Sequence, residues 1–247
     1  MNGNASADWP AAVTVVNEGG LSDIVLLCEH ASNHMPAEYG RLGLSPADCE
    51  RHIAWDIGAA ELTRLLSAAL DAPAFLSNYS RLLIDLNRPL HVPACIPARS
   101  EETDIPGNVG VPETEIDRRI RNMFDPYHVS VSEHIDARER EGRGTRIVSI
   151  HSFTPTFLGK DRPWHAGILH GDAATFAQQV IASLRRGSDL VVDANVPYIV
   201  SPDDDYGLLV HGDQRGFPAI LVEIRQDLLA RDADIICWSE RLAEALQ

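Results

Sequence analysis

Basic residues are scarce in this chain. Its 247 residues include 21 lysines and arginines against 36 aspartates and glutamates, a formal net charge of -15. A surface of that sign repels phosphate backbones and anionic lipids, so neither nucleic acid nor a membrane is expected as a partner. No apolar run approaches the roughly 20 residues needed to cross a bilayer. The N-terminal stretch MNGNASADWP has no basic segment followed by an apolar one. No signal peptide is therefore expected, and the expected compartment is the cytoplasm. Only four cysteines occur, Cys28, Cys49, Cys95 and Cys237, and none forms a CxxC pair. That spacing argues against a zinc finger or a disulfide framework and for reduced thiols. Internal repeats and low-complexity tracts are lacking too.

What is present is a globular composition, 45% hydrophobic and 23% charged, with enough apolar material for a sizeable core. The chain reads as one domain over residues 1–247, with residues 1–20 as a flexible N-terminal segment. Residues 24–28 (IVLLC) have the continuous apolar character of a buried parallel strand. Ser45 and Pro46 suit the cap and first position of a short helical turn. From Ile57 onward, Ile57, Ala60, Leu62, Leu65 and Leu66 recur at helical spacing. The stretch APAFLSNYSRLLIDLNRP suggests two strands around a turn, and proline-rich residues 90–112 a long irregular loop of the kind often used functionally. Residues 113–142 read as a helix bent at Pro126. Beyond it, TRIVSIHSF, HAGILHG and PAILVEIRQDL read as strands. AATFAQQVIASLRRG reads as a helix stopped by Gly187, and the C-terminus as an amphipathic helix. Strands alternating with helices imply an α/β fold: a three-layer α/β/α arrangement with a mostly parallel or mixed sheet.

Ligands of such sheets sit beyond the carboxyl ends of the strands, and four expected strand ends are polar. They carry Glu29-His30, Asp85-Asn87-Arg88, His151-Ser152 and Glu223-Arg225. Two imidazoles and a carboxylate with an open fourth position make a catalytic zinc site. His30 and His151 supply the imidazoles. An HxxE spacing would place the carboxylate at position 33, where the chain has Asn33. Glu29 is adjacent to His30 and in an extended strand points to the opposite face. Asp56, expected at a helix start, is the better ligand, and His52 would share its face if that helix runs through both. Asp85 has a simpler use as an ion-pair partner of Arg81. Arg88 suits a two-pronged bond to a carboxylate. Glu223 stands inside an apolar strand, where an ionised group is rare unless paired or functional. A glutamate facing an activated water is a general base. Cys28, beside the polar cluster, is an alternative nucleophile, although cysteine is common in buried strands.

Together, CEHASNHMP, HIAWDIGA, YSRLLIDLNRP, IPGN, IHSFTP, RPWHAGIL, DANVPY and DYGLLVHGDQRGFPAILVEIRQDL resemble the N-formylglutamate amidohydrolase family from about residue 22 to 232. More distantly, DLNRP, IHSF and VEIR resemble segments of the zinc carboxypeptidases. The resemblance implies a phosphorylase/hydrolase-like fold and zinc, or another divalent metal, held by His30 and His151, with Asp56 as the third ligand. It implies Glu223 as base and Asn87 with Arg88 as the clamp for a substrate carboxylate. Arg81 or His211 would then meet the oxyanion, and Arg162, Asn195 and Tyr198 would line the pocket. The implied substrate is a small anionic N-acyl amino acid, N-formyl-L-glutamate first. A carboxypeptidase, a deacylase of other specificity and a non-enzymatic ligand-binding protein are the competing readings.

Overall fold

The computed structural model describes residues 9–247. Its centre is a seven-stranded mixed sheet whose strands lie in the order Val13–Val16, Ala74–Ser77, Ile24–Cys28, Arg146–Phe153, Ala219–Arg225, Ala166–Leu169, Val192–Ala194. The chain enters on edge strand β1 (Val13–Val16) and continues into β2 (Ile24–Cys28). Part of the expected flexible segment 1–20 is therefore a paired strand, with Val13–Val16 antiparallel to β3 (Ala74–Ser77). Residues 1–8 of that segment lie outside the described residues. The short helix α1 (Pro46–Cys49) has Ser45 as its cap, accepting the Asp48 N–H, and Pro46 first in the helix. Helix α2 (Ala59–Leu70) starts only after Gly58. Residues 50–57 form turns, so His52 and Asp56 share no helical face.

After β3 the expected second strand is missing. The run Leu82-Leu83-Ile84 is buried but unpaired. The Asn108 amide donates to the Leu82 carbonyl at 2.7 Å, and fully buried Arg119 donates to that of Leu83 at 2.8 Å and to Asn108 Oδ1 at 2.8 Å. Side chains thus satisfy carbonyls that a ladder would otherwise serve. An apolar run reports burial, and here burial comes without pairing. The following loop carries the small hairpin β4 (Arg99–Ser100) and β5 (Thr103–Asp104).

Helices α3 (Glu113–Arg119) and α4 (Asp125–Arg140) are joined by one π turn, Ile120–Phe124. Pro126 follows it and has no N–H to donate, which fits a register change there. Next come β6 (Arg146–Phe153), the hairpin β7 (Thr156–Phe157) and β8 (Lys160–Asp161), and β9 (Ala166–Leu169). Helix α5 (Ala174–Arg185) ends just before Gly187, whose φ is +65°. Strand β10 (Val192–Ala194), α6 (Gly207–His211), β11 (Ala219–Arg225) and α7 (Asp232–Leu246) complete the fold.

Strands β3, β2, β6 and β11 run parallel, whereas β9 is antiparallel to β11. One sheet face buries Leu26, Cys28, Val148, Ile150 and Val222 against α2, α5 and α7. The other buries Val25, Leu27, Ile147 and Leu221 against α4, α6 and the 79–112 region. The result is an α/β fold with helices on both faces of a mixed sheet.

Candidate active site at the carboxyl edge of the sheet

Alternation along the strands places the polar groups. Ile147, Ser149 and His151 share one face of β6, and Leu221 and Glu223 share the same face of β11. Glu223 lies in direct register with His151 on the neighbouring parallel strand. Glu29, one residue past β2, continues the face of Val25 and Leu27. The apolar stripe of each central strand therefore turns polar at its carboxyl end. The fourth group, Asp85, comes from the irregular segment that replaced the expected strand, so three strand ends and one loop converge.

His30, Asp56 and His151 are all buried, and one ligand atom from each lies within 4.8 Å of the others. Asp56 Oδ2 is 3.4 Å from His30 Nδ1 and 2.9 Å from His151 Nδ1. Behind the rings, His30 Nε2 meets Asp85 Oδ1 at 2.7 Å and His151 Nε2 meets Glu29 Oε2 at 3.0 Å. A carboxylate there can only accept, so each Nε2 carries a proton and each ring turns its Nδ1 toward Asp56, where a bound metal would take the place of an Nδ1 proton. Two nitrogens and an oxygen with carboxylate-backed imidazoles form a donor set suited to a divalent metal such as zinc.

The electrostatics are those of a dense buried charge cluster. Burial alone would lower the pKa of His151, but its bonds to Asp56 and Glu29 push it well above the ordinary value. Burial opposes ionisation of Asp85, yet Arg81 and His30 hold its carboxyl far below the usual range. Asp56 is also held low against burial, chiefly by His30 and His151. Glu223 goes the other way. Burial pushes it up to about 8, with His151 opposing and Asp56 reinforcing the rise. Its Oε2 is buried with no hydrogen-bond partner.

These groups open onto a cleft of about 440 Å³ lined by His30, Asp56, Arg81, Arg88, His151 and Glu223, and also by Asn87 and Tyr198. Arg81 donates to Asp85 Oδ2 at 2.6 and 3.0 Å and to Asp56 Oδ1 at 3.3 Å. Arg88 gives one nitrogen to the Asp204 carbonyl at 2.7 Å. Asn87 Oδ1 accepts the Gly207 N–H at 2.9 Å and the Tyr206 N–H at 3.1 Å.

Three expected pocket residues stand elsewhere. Arg162 is outside the lining but donates to the Tyr198 hydroxyl at 2.9 Å. Asn195 accepts the His170 N–H and does not reach the cleft. His211 is buried behind the site and bonded to His128 at 2.9 Å. His52 lies 3.2 Å from Glu101 at the cleft wall. Cys28 faces the opposite side of the sheet among apolar residues, and burial pushes its thiol far up, which makes it a poor nucleophile.

Residue reading alone gave Asp85 an ion pair with Arg81 but not its hold on His30. Its position within LLIDL carried the same signal as Glu223, a carboxylate in an apolar run. Ser149, whose hydroxyl donates to Glu29 Oε1 at 3.2 Å, and Gly207, which abuts that oxygen, carry no signal in the sequence, because both contacts join residues distant in the chain.

Among solved structures, the gene product Atu2144 from Agrobacterium tumefaciens is 38% identical, with a TM-score of 0.93 over 96% of this chain and 94% of that one. The N-formylglutamate amidohydrolase from Ralstonia eutropha JMP134 is 18% identical, with a TM-score of 0.68 over 96% of each chain. At that identity the likeness establishes a shared fold alone. None of the curated proteins matches the chain in sequence. The family model for N-formylglutamate amidohydrolase matches residues 22–230. With most of its length in that match, and a cleft built from those segments, the chain belongs to the N-formylglutamate amidohydrolase family.

Proposed function

We propose that the protein is a metal-dependent amidohydrolase that removes the acyl group of an N-acyl amino acid. N-formyl-L-glutamate, yielding formate and L-glutamate, is the first substrate to test. The observation that carries this reading is the convergence of His30, Asp56 and His151 in one cleft with Glu223, whose Oε2 has no partner. His30 Nδ1, His151 Nδ1 and Asp56 Oδ2 would hold a divalent metal, most simply zinc. Such an ion supplies Lewis-acid polarisation of the amide carbonyl and lowers the pKa of water.

The chain's own groups supply the rest. Asp85 and Glu29 fix the tautomer and tilt of the two rings. Glu223 accepts a proton from the attacking water and delivers it to the amide nitrogen as the C–N bond breaks. Arg81, held by Asp56 and Asp85, keeps the acidic cluster ionised and presents positive charge to the developing oxyanion. Arg88 binds the substrate's α-carboxylate with the guanidinium nitrogens not spent on Asp204.

The test combines metal analysis with formate release. Purified protein should contain about one divalent ion per chain and release formate from N-formyl-L-glutamate. A chelator should abolish activity and a thiol reagent should not. Absence of both metal and hydrolysis across a panel of N-acyl amino acids would sink the reading in favour of a ligand-binding role.

A further inference from the structure

We propose that Gly207 and Asn87 are positioning residues that act on the metal centre through Glu29, an inference that rests on the metal reading above. The carboxylate of Glu29 is enclosed, with 1% of the residue exposed. Oε2 takes His151 Nε2 at 3.0 Å and Oε1 takes the Ser149 hydroxyl at 3.2 Å. Gly207, the first residue of α6, lies against that same Oε1. A β-carbon built on Gly207 would come 2.1 Å from Oε1 and 3.2 Å from the carboxyl carbon. Gly207 is not among the positive-φ residues, so close approach rather than backbone conformation demands glycine here.

Asn87 brings that backbone so near. Its side-chain oxygen accepts the Gly207 and Tyr206 N–H groups at 2.9 and 3.1 Å, and its own carbonyl accepts Tyr206 N–H again at 3.1 Å. Its backbone N–H in turn donates at 2.9 Å to Asp85 Oδ1, the oxygen that holds His30 Nε2 at 2.7 Å. One residue thus ties the carboxylate behind His30 to the helix start that closes over the carboxylate behind His151. With both bonds of its side-chain oxygen spent on α6, Asn87 sets the two imidazoles rather than gripping substrate through that atom.

The consequence is measurable without turnover. Alanine at position 207 must push the Glu29 carboxylate off His151, and loss of such a backing partner costs about 10- to 100-fold in metal affinity. Zinc dissociation constants by competition with a chromophoric chelator, on wild type, Gly207→Ala, Glu29→Ala and the double variant, give the test. We expect Gly207→Ala to weaken zinc about 10- to 100-fold alone and to add nothing in the Glu29→Ala background, because neighbours acting through one group are not additive. Asn87→Ala should weaken zinc in the same direction, and it replaces Gly207→Ala should that variant fail to fold.

Wild-type zinc affinity in a cooperatively folding Gly207→Ala protein would overturn the inference. So would an equal loss in both backgrounds, which would place the action of Gly207 elsewhere. A wild-type protein that binds no zinc would remove the metal reading itself and this inference with it.

Discussion

At the residue scale the decisive contrast is between Glu223 and His151, neighbours in register on adjacent strands. One has an unpartnered buried oxygen and the other has both ring nitrogens engaged by carboxylates. Glu223→Gln keeps the shape but cannot accept a proton. General acid–base catalysis contributes about 10²- to 10⁴-fold, so kcat should fall by that order while metal content stays near that of wild type. His151→Ala should lower metal content and activity together. Near-normal turnover in the glutamine variant would remove Glu223 as base. Arg88 gives the complementary expectation. It is partly exposed and spends one nitrogen on Asp204, which is itself well exposed, and exposed pairs contribute little to stability. Arg88→Ala should therefore raise KM for carboxylate substrates at nearly unchanged Tm. A fall in Tm with unaltered kinetics would make the arginine structural.

At the scale of elements, the sequence was most readable where periodicity and burial agree. Strands β2, β6 and β11 and helices α2, α5 and α7 follow directly from apolar runs and helical spacing. It was least readable where side chains replace backbone partners, as at Leu82 and Leu83, whose carbonyls are served by Asn108 and Arg119. Site residues followed the same division. His30, His151 and Glu223 end or interrupt apolar strands and announce themselves. Asp56 lies on a turn before α2, and only its Oδ2 meeting the Ser152 N–H at 3.2 Å shows how that turn closes on β6. Gly167 shows what pattern reading cannot detect. It sits opposite Glu223 on β9, and an added β-carbon would fall 1.6 Å from the Val196 carbonyl oxygen. That oxygen is backbone and cannot rotate away. Gly167→Ala should cost about 1–3 kcal/mol or more as overpacking. It should also shift the 196–198 stretch and raise KM, because Tyr198 lines the cleft. Unfolding and kinetic measurements that both match wild type would show that the stretch is not held against β9.

For the whole molecule, the site is one end of a larger buried polar system on the α4 and α6 side of the sheet. Behind Glu29, His128 Nδ1 and His211 Nε2 meet at 2.9 Å, and His128 Nε2 donates to the Leu86 carbonyl at 2.9 Å. That carbonyl fixes the tautomer: His128 is bare at Nδ1, so His211 is protonated at Nε2 and bare at Nδ1, where no partner stands. Burial pushes His128 down to about 3 and His211 to about 4. Unfolded histidines titrate near 6.5, so below that pH the unfolded chain takes up two protons that the folded chain refuses. Their contribution is fully present above about pH 6.5 and is lost as pH falls toward 4. Glu223 opposes them. Its folded pKa of about 8 lies above the unfolded value, so between about pH 4.5 and 6.5 the folded chain keeps a proton that the unfolded chain has released. For these three groups, two protons against one leave a net loss of about 1.4 kcal/mol per pH unit in that window in metal-stripped protein, and His134, which burial also holds below its ordinary value, adds to the loss. The depressed carboxylates Asp56, Asp85 and Glu29 add their own loss only at lower pH, and His151, raised in the fold, is protonated in both states there. Denaturant unfolding in chelator at pH 7, 6 and 5 reads the slope. Glu223→Gln should steepen it toward two protons, because it deletes the opposing group. A stability flat from pH 6.5 to 4.5 in that variant would mean that the histidine pair is not held neutral in the fold.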